Sequence, residues 1–97
     1  MYNGRRSGLP GPNVEGAQWL IDKGAAMFGS DTPAFEVIPS RNDSVHAMLS
    51  VDRSVHIIED LDLEVLAADK VYPFLYVGLP LRMAGATGSP LRLIAIA

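Results

Sequence analysis

Apolar residues near the start of the chain recur at a helical spacing. One predicted helical face carries residues at i, i+3, i+6 and i+7, namely Val14, Ala17, Leu20 and Ile21. Asn13 precedes this run and has a side chain suited to an N-cap. Gly24 follows it, where a left-handed residue often ends a helix. The pattern therefore predicts a helix over residues 14–23.

Short apolar runs, several of them rich in β-branched residues, predict strands over most of the remaining chain. The predicted strands cover residues 25–29, 55–58, 71–79 and 91–97. Residues 36–43 are expected to form a loop, residues 45–50 a short helix capped by Ser44, and residues 61–66 a turn or short helix. The sequence thus predicts a mixed α/β fold (α+β), with strands dominant in the second half.

The last predicted strand, residues 91–97, is almost continuously apolar, which is typical of a strand buried on both faces. Few other elements are available to cover it, and an uncovered apolar edge tends to pair with another chain. Residues 1–12 are rich in glycine and proline towards their end and are expected to form an irregular lead-in to a domain over residues 13–97. We therefore expect the chain to be part of a larger protein or assembly.

Composition narrows the classes of function. The chain has 97 residues, enough for one modest core, and 48% of them are hydrophobic. A net charge of -3 argues against nucleic acid or an anionic membrane as the main partner. No apolar run approaches the roughly 20 residues of a membrane helix. The absence of cysteine excludes disulfides and thiolate metal sites, and is typical of a cytoplasmic protein.

Candidate chemistry is limited to histidine and carboxylate side chains. A metal site would need His46 or His56 together with Asp or Glu, a ligand set suited to Zn, Mn or Fe. His46 is predicted on a helical turn, and Glu59 ends the predicted strand 55–58, where its side chain can project into a cleft. From the residues alone, a surface histidine and a solvated acidic turn are the commoner explanation of His46 and Glu59. Strand alternation places His56 and Glu59 on opposite sides.

Motifs of other enzyme classes are missing from the sequence. It contains neither a GxGxxG nor a GxxxxGK[ST] phosphate-binding loop. It also lacks the GxSxG motif, which forms the nucleophile elbow of α/β-hydrolases. Its aromatic residues do not alternate with basic ones as in single-strand nucleic-acid binders. The residues alone therefore favour no nucleotide-binding or serine-hydrolase function.

Four segments, in order, resemble the last third of the cyclase family of metal-dependent hydrolases, which includes bacterial kynurenine formamidases and isatin hydrolases. Residues 10–20 (PGPNVEGAQWL) are similar to a family helix start, and residues 29–33 (GSDTP) to its Gly-x-Asp-Thr-Pro turn. Residues 45–49 (VHAML) and 56–61 (HIIEDL) resemble its His-x-x-Leu-Leu and Ile-Ile-Glu-x-Leu segments. Residues 79–92 (LPLRMAGATGSPLR) resemble its closing motif.

The resemblance implies a partial β/β/α layered, swivelling-type domain and hydrolysis of a small-molecule amide by metal-activated water. His46 and Glu59 would be ligands of a divalent metal, Zn or Mn, and His56 would be structural. The family's other ligands and its catalytic histidine come from a His-x-Gly-Thr-His-x-Asp motif and a further histidine, which this sequence lacks. The stretch from His46 to Glu59 is also one residue longer than the family pattern, within residues 50–54.

Two functions are consistent with this sequence. The chain could be the C-terminal segment or subunit of an arylformamidase-like amidohydrolase, completed by an N-terminal chain or by an oligomeric partner. Alternatively, it could be a non-catalytic remnant that serves as an assembly module through its apolar strands. In the first case the sequence itself assigns no catalytic residue to this chain, only the metal ligands His46 and Glu59.

Overall fold

The computed structural model describes residues 8–39 and 44–97. The chain divides into two compact units, Met1–Leu63 and Glu64–Ala97. The described part of the first unit contains helix α1 (Val14–Asp22), strand β1 (Met27–Gly29), a π-helix (Ala47–Asp52) and strand β2 (His56–Ile58). The second contains helix α2 (Glu64–Ala68) and strands β3 (Leu75–Pro80) and β4 (Leu91–Ile96). The predicted mixed α/β class is confirmed.

Helix α1 begins where the sequence predicts and ends one residue before the predicted end, with Lys23 as its C-cap. The Asn13 side chain accepts a hydrogen bond of 2.9 Å from the Gly16 N–H, which satisfies one of the free amides at the helix start. Gly24 follows the helix with a φ of 90°, a left-handed conformation that glycine adopts without steric cost. Ala17 points into the core and is completely buried.

Strands β1 and β2 form a parallel pair in which Phe28 lies beside Ile57. The core of the first unit gathers on this pair, on α1 and on the π-helix. Its buried apolar residues are Ala17, Phe28, Phe35, Val45 and Leu49. The Phe28 and Phe35 rings pack with centroids 5.1 Å apart, so the turn after β1 folds back onto the strand itself. This packing places the ends of both strands beside the segment at 30–36.

The predicted helix at 45–50 is present but is π-helical over Ala47–Asp52. The Ser44 hydroxyl accepts a 3.3 Å hydrogen bond from the Ala47 N–H, as the predicted cap requires. The Arg53 N–H donates to the Met48 carbonyl, five residues earlier, which is the bonding pattern of a π-turn. Such a turn holds one residue more than an α-turn, and it lies in the stretch that the sequence resemblance expects to be one residue longer than the family pattern.

The second unit is built around an antiparallel hairpin. Strands β3 and β4 pair over six residues, from Leu75 opposite Ile96 to Pro80 opposite Leu91. Strand β3 begins four residues later than predicted, after Pro73, which has no N–H to donate to a strand ladder. Ile94 and Ile96 of the final strand are about half exposed, at 49% and 52%, which agrees with the expectation that this chain has few elements to cover that strand.

Two further predictions concern the start of the chain and membranes. Residues 1–7 of the predicted lead-in lie outside the described part, whereas Leu9 forms an antiparallel bridge with Ile38. The boundary between residues 12 and 13 stays a prediction. Among the described residues, none of the helices has the length and apolar character needed to cross a membrane.

Candidate metal-ligand site

His46 lies at the start of the helical segment and its ring is held between two carboxylates. Its Nδ1 atom is 2.5 Å from Glu36 Oε1, and its Nε2 atom is 3.0 Å from Glu59 Oε1. Both contacts join residues of the first unit that are far apart in the sequence. The structure thus brings together His46 and Glu59, the two site residues predicted from sequence, and adds Glu36 as a third.

Glu59 is positioned by the end of strand β2. The strand pairing continues beyond β1, because the Ser30 N–H donates to the Ile58 carbonyl at 3.0 Å and the Asp60 N–H donates to the Thr32 carbonyl at 3.1 Å. The Glu59 Oε1 atom also accepts a 2.8 Å hydrogen bond from the Phe35 N–H. The turn at 30–35 therefore holds the Glu59 carboxylate in place, with its Oε1 atom facing His46.

The turn itself is held by Thr32, which is buried. Its hydroxyl donates to the Ala34 carbonyl at 2.6 Å, a local bond typical of threonine in turns. Asp31, which the resemblance includes in the same turn, is half-buried. The hydrogen bonds within this turn thus hold the backbone that directs the Phe35 N–H at Glu59.

Glu36 is buried beneath the His46 ring. Its Oε2 atom accepts a 2.8 Å hydrogen bond from the Val45 N–H, and its Oε1 atom accepts one of 3.2 Å from the Ser44 hydroxyl. The backbone next to Glu36 is also held in place, because the Val37 N–H donates a 3.2 Å hydrogen bond to the Pro12 carbonyl. Gly11 allows this approach, since a Cβ atom there would overlap the backbone of residues 35–37.

The electrostatics of Glu36 follow from these contacts. Burial raises the pKa of the Glu36 carboxyl, but hydrogen bonds from the Val45 N–H and from the ring and N–H of His46 lower it by more. The net result is a pKa below the ordinary value for glutamate. Glu36 is therefore an ionised acceptor in a site where the surrounding groups are donors.

The pair formed by His46 Nε2 and Glu59 Oε1 suits a shared divalent ion in distance and in chemistry. Two ligand atoms bound at about 2.0–2.2 Å to one ion lie about 3.0–3.5 Å apart, and the observed 3.0 Å, which is also a hydrogen-bond distance, is at the short end of that range. A carboxylate on Nδ1, as Glu36 provides, is the usual support for a metal-binding histidine. Within residues 8–39 and 44–97, no cluster of three or more His, Asp or Glu side chains could hold a metal ion. The described residues thus fit part of a site and not a closed one.

Comparison with known proteins agrees with the resemblance found in the sequence. A kynurenine formamidase from Bordetella petrii is 33% identical over 78 residues, which is 79% of this chain and 35% of that protein. Cyclase-like protein 3 from Oryza sativa subsp. japonica is 38% identical over 89 residues, covering 84% of this chain and 29% of its own length. The chain is related to the cyclase family.

A further relative agrees with this relationship. A kynurenine formamidase from Bacillus anthracis is 30% identical over 86 residues, or 89% of this chain and 39% of that protein. The chain thus spans between about a third and two fifths of the length of the formamidases that it matches. No protein-family model matches the chain, and no solved structure matches it significantly.

The second histidine of the chain stands apart from the site. His56 lies in β2 opposite Met27 and is exposed, and none of the hydrogen bonds that hold the Glu36–His46–Glu59 group involves it. The prediction that His56 is structural stays a prediction. The metal-ligand roles of His46 and Glu59 stay predictions.

Glu36 was missed because residues 36–43 carry no periodic pattern and were predicted to be loop. One signal was present, since Glu36 interrupts an apolar run with Phe35 before it and Val37 and Ile38 after it. A glutamate in such a run is either a turn residue or a buried carboxylate that needs partners. The sequence does not reveal those partners, because they are the backbone and ring of residues nine and ten positions later.

Proposed function

We propose that this chain contributes half of the metal site of an arylformamidase-like amide hydrolase. His46 Nε2 and Glu59 Oε1 would bind one divalent metal, Zn or Mn, and a complementary segment or chain would supply the remaining ligands. The observation that carries this proposal is the 3.0 Å separation of those two atoms, with the opposite ring nitrogen held by buried Glu36. The formamidase names of the relatives support the reaction class.

Each residue would have a defined task in such a site. A bound divalent metal supplies a water molecule of lowered pKa and polarises the substrate carbonyl. His46 would contribute a neutral imidazole nitrogen, and Glu59 a carboxylate oxygen. The Phe35 N–H would keep Glu59 in place, and Glu36 would hold the ring of His46. None of these residues needs to act as the general base, which in the proposal comes from the missing histidines.

The partner in this proposal is an N-terminal chain or segment that carries a His-x-Gly-Thr-His-x-Asp motif, or a homo-oligomeric partner. The substrate would be a small-molecule amide, with an N-formyl or cyclic aromatic amide as the family's example. The expected cytoplasmic location is part of the proposal and rests on the cysteine-free composition.

The test combines metal content and formamidase activity with and without a chain that carries the missing motif. We expect metal retention and activity only for the combination, with both lost in His46→Ala and Glu59→Gln and both kept in His56→Ala. The last variant is a matched control because it removes the only other histidine, which is exposed. Activity from the 97-residue chain by itself would overturn the proposal.

A non-catalytic assembly module is the second candidate, favoured by the apolar surface of the second unit. Its exposed apolar residues include Tyr72, Leu79 and Leu81, at 81%, 79% and 60% exposure. Surfaces of this kind in soluble proteins commonly mark interaction sites. Under this alternative, His46→Ala and Glu59→Gln would leave assembly unchanged and no metal would be found in the assembled wild-type protein.

A further inference from the structure

Glu36 contacts His46 from the buried side of the site, and all of its hydrogen-bonding neighbours are groups able to donate. The Val45 N–H and the His46 N–H are fixed donors, at 2.8 Å and 3.4 Å from its two oxygens. The Ser44 hydroxyl lies 3.2 Å from Oε1. A carboxylate in this position has only lone pairs to offer, so the ring nitrogen that faces it must carry a proton.

The neutral imidazole has one N–H, and two carboxylates face its two nitrogens. Glu36 lies closer, at 2.5 Å against 3.0 Å for Glu59, and its side chain is 8% exposed against 31%. Without a proton on Nδ1, the lone pairs of Nδ1 and of Glu36 Oε1 would face each other at 2.5 Å in a place that water hardly reaches, which is the less favourable of the two arrangements. The proton of a neutral ring is therefore held on Nδ1, and the lone pair of Nε2 is directed at the Glu59 side of the site.

We infer that Glu36 is a positioning residue that fixes the Nδ1–H tautomer of His46 and so presents the Nε2 lone pair beside Glu59. Glu36 also anchors the ring to the backbone, because the same carboxylate binds the Val45 N–H at the helix start. The tautomer follows from the contacts of the metal-free chain. Only its use, which is to make Nε2 available to a metal, rests on the proposed function.

Glu36→Gln tests this inference because it replaces one carboxylate oxygen, which can only accept, with an amide NH₂ group, which can only donate. The shape of the side chain stays the same. The buried Val45 N–H needs an acceptor, so the amide oxygen of the variant should take the Oε2 position. The amide NH₂ then faces Nδ1 and can only donate to it. In this variant the neutral ring of His46 must move its proton to Nε2.

The measurement is the ¹⁵N chemical shift of the two ring nitrogens in metal-free protein labelled at histidine, recorded at alkaline pH where the shifts show a neutral ring. The chain has two histidines, so the exposed His56 provides an internal control that should not change between variants. We expect His46 to be the Nδ1–H tautomer in the wild type and the Nε2–H tautomer in Glu36→Gln. The matched Glu59→Gln variant should keep the proton on Nδ1.

A wild-type His46 with its proton on Nε2 would overturn the inference, and so would an unchanged tautomer in a folded Glu36→Gln protein. If that variant does not fold, the wild-type spectrum still decides. A second readout is Zn²⁺ affinity of the protein combined with the complementary chain, which Glu36→Gln should weaken about 10–100-fold. Failure of the wild type to bind Zn²⁺ would count against the proposed function and leave the tautomer result standing.

Discussion

The two units of this chain differ in what holds them together. The described part of the first unit has five buried apolar residues and two buried polar ones, Thr32 and Glu36, both with hydrogen-bond partners. The second unit, residues 64–97, has no buried residue at all, although every residue in it is described. Its hairpin is held by backbone pairing, and a two-stranded hairpin is marginal by itself in water.

The candidate site lies in the same unit as the buried core. The three side chains of the candidate site, Glu36, His46 and Glu59, all belong to the first unit, where buried contacts fix their positions. The second unit exposes apolar side chains that this chain does not cover. The comparison indicates that buried contacts organise the candidate site in the first unit, whereas the second unit leaves apolar side chains exposed.

The largest expected effect is on the core of the first unit. Leu49→Ala removes a completely buried side chain and should lower the free energy of unfolding by about 2–5 kcal/mol. The matched change in the second unit, Leu79→Ala, removes a side chain that is 79% exposed and should change it by less than about 0.5 kcal/mol. Urea unfolding of both variants checks this, and equal losses would refute the comparison.

A smaller loss is expected from Glu36→Ala. The variant leaves the buried Val45 N–H without its 2.8 Å acceptor, and an unsatisfied buried donor costs about 1–3 kcal/mol. Asp69→Ala, which removes an exposed carboxylate in the second unit, serves as the control and should have almost no effect. The same urea experiment measures both changes. A Glu36→Ala protein as stable as the control would show that the buried carboxylate does not organise the site.

The pH dependence of stability should also trace to Glu36. Its folded-state pKa lies below the ordinary value, so the native state favours the ionised form. The resulting stabilisation is complete above the unfolded-state pKa and is lost as the pH falls through the lowered folded-state pKa. Unfolding curves between about pH 7 and pH 3 should therefore lose less stability in Glu36→Gln than in the wild type. Parallel pH profiles for the two proteins would contradict this.

The smallest effect on stability is expected in strand β4. Ile96→Lys places a charge on a side chain that is 52% exposed and should shift the free energy of unfolding by less than about 0.5 kcal/mol. Its effect should fall on association with the complementary chain, because a charged strand edge resists pairing. Sedimentation of the mixture measures this. Unchanged association would mean that β4 is not the contact surface.

Local signals in the sequence were sufficient for the regular elements of the first unit. Asn13 and the spacing of apolar residues predicted α1, and β-branched residues predicted β2 to within one residue of its observed start. The resemblance to the cyclase family added the pairing of His46 with Glu59. The spacing of His46 and Glu59 in the sequence does not predict their contact, because that contact depends on how the turn at 30–35 meets the end of β2.

Three features were beyond sequence reasoning for physical reasons. The role of Glu36 depends on backbone donors at residues 45 and 46, which no periodicity reports. The π-helix differs from an α-helix by a single residue in its hydrogen-bond spacing, which apolar patterning does not resolve. Strand β4 has the composition of a buried strand, yet what would cover it is not part of its own pattern.

Zinc titration of the metal-free chain, followed through the ring nitrogens of both histidines, tests the central claim most directly. His46 and His56 differ in setting, since only His46 faces a carboxylate on each side. We predict that Zn²⁺ shifts the Nε2 signal of His46, weakly because two ligands do not complete a site, and leaves His56 unchanged. The Glu59→Gln variant should lose the shift. Equal shifts at both histidines, or a shift at His56 alone, would contradict the account.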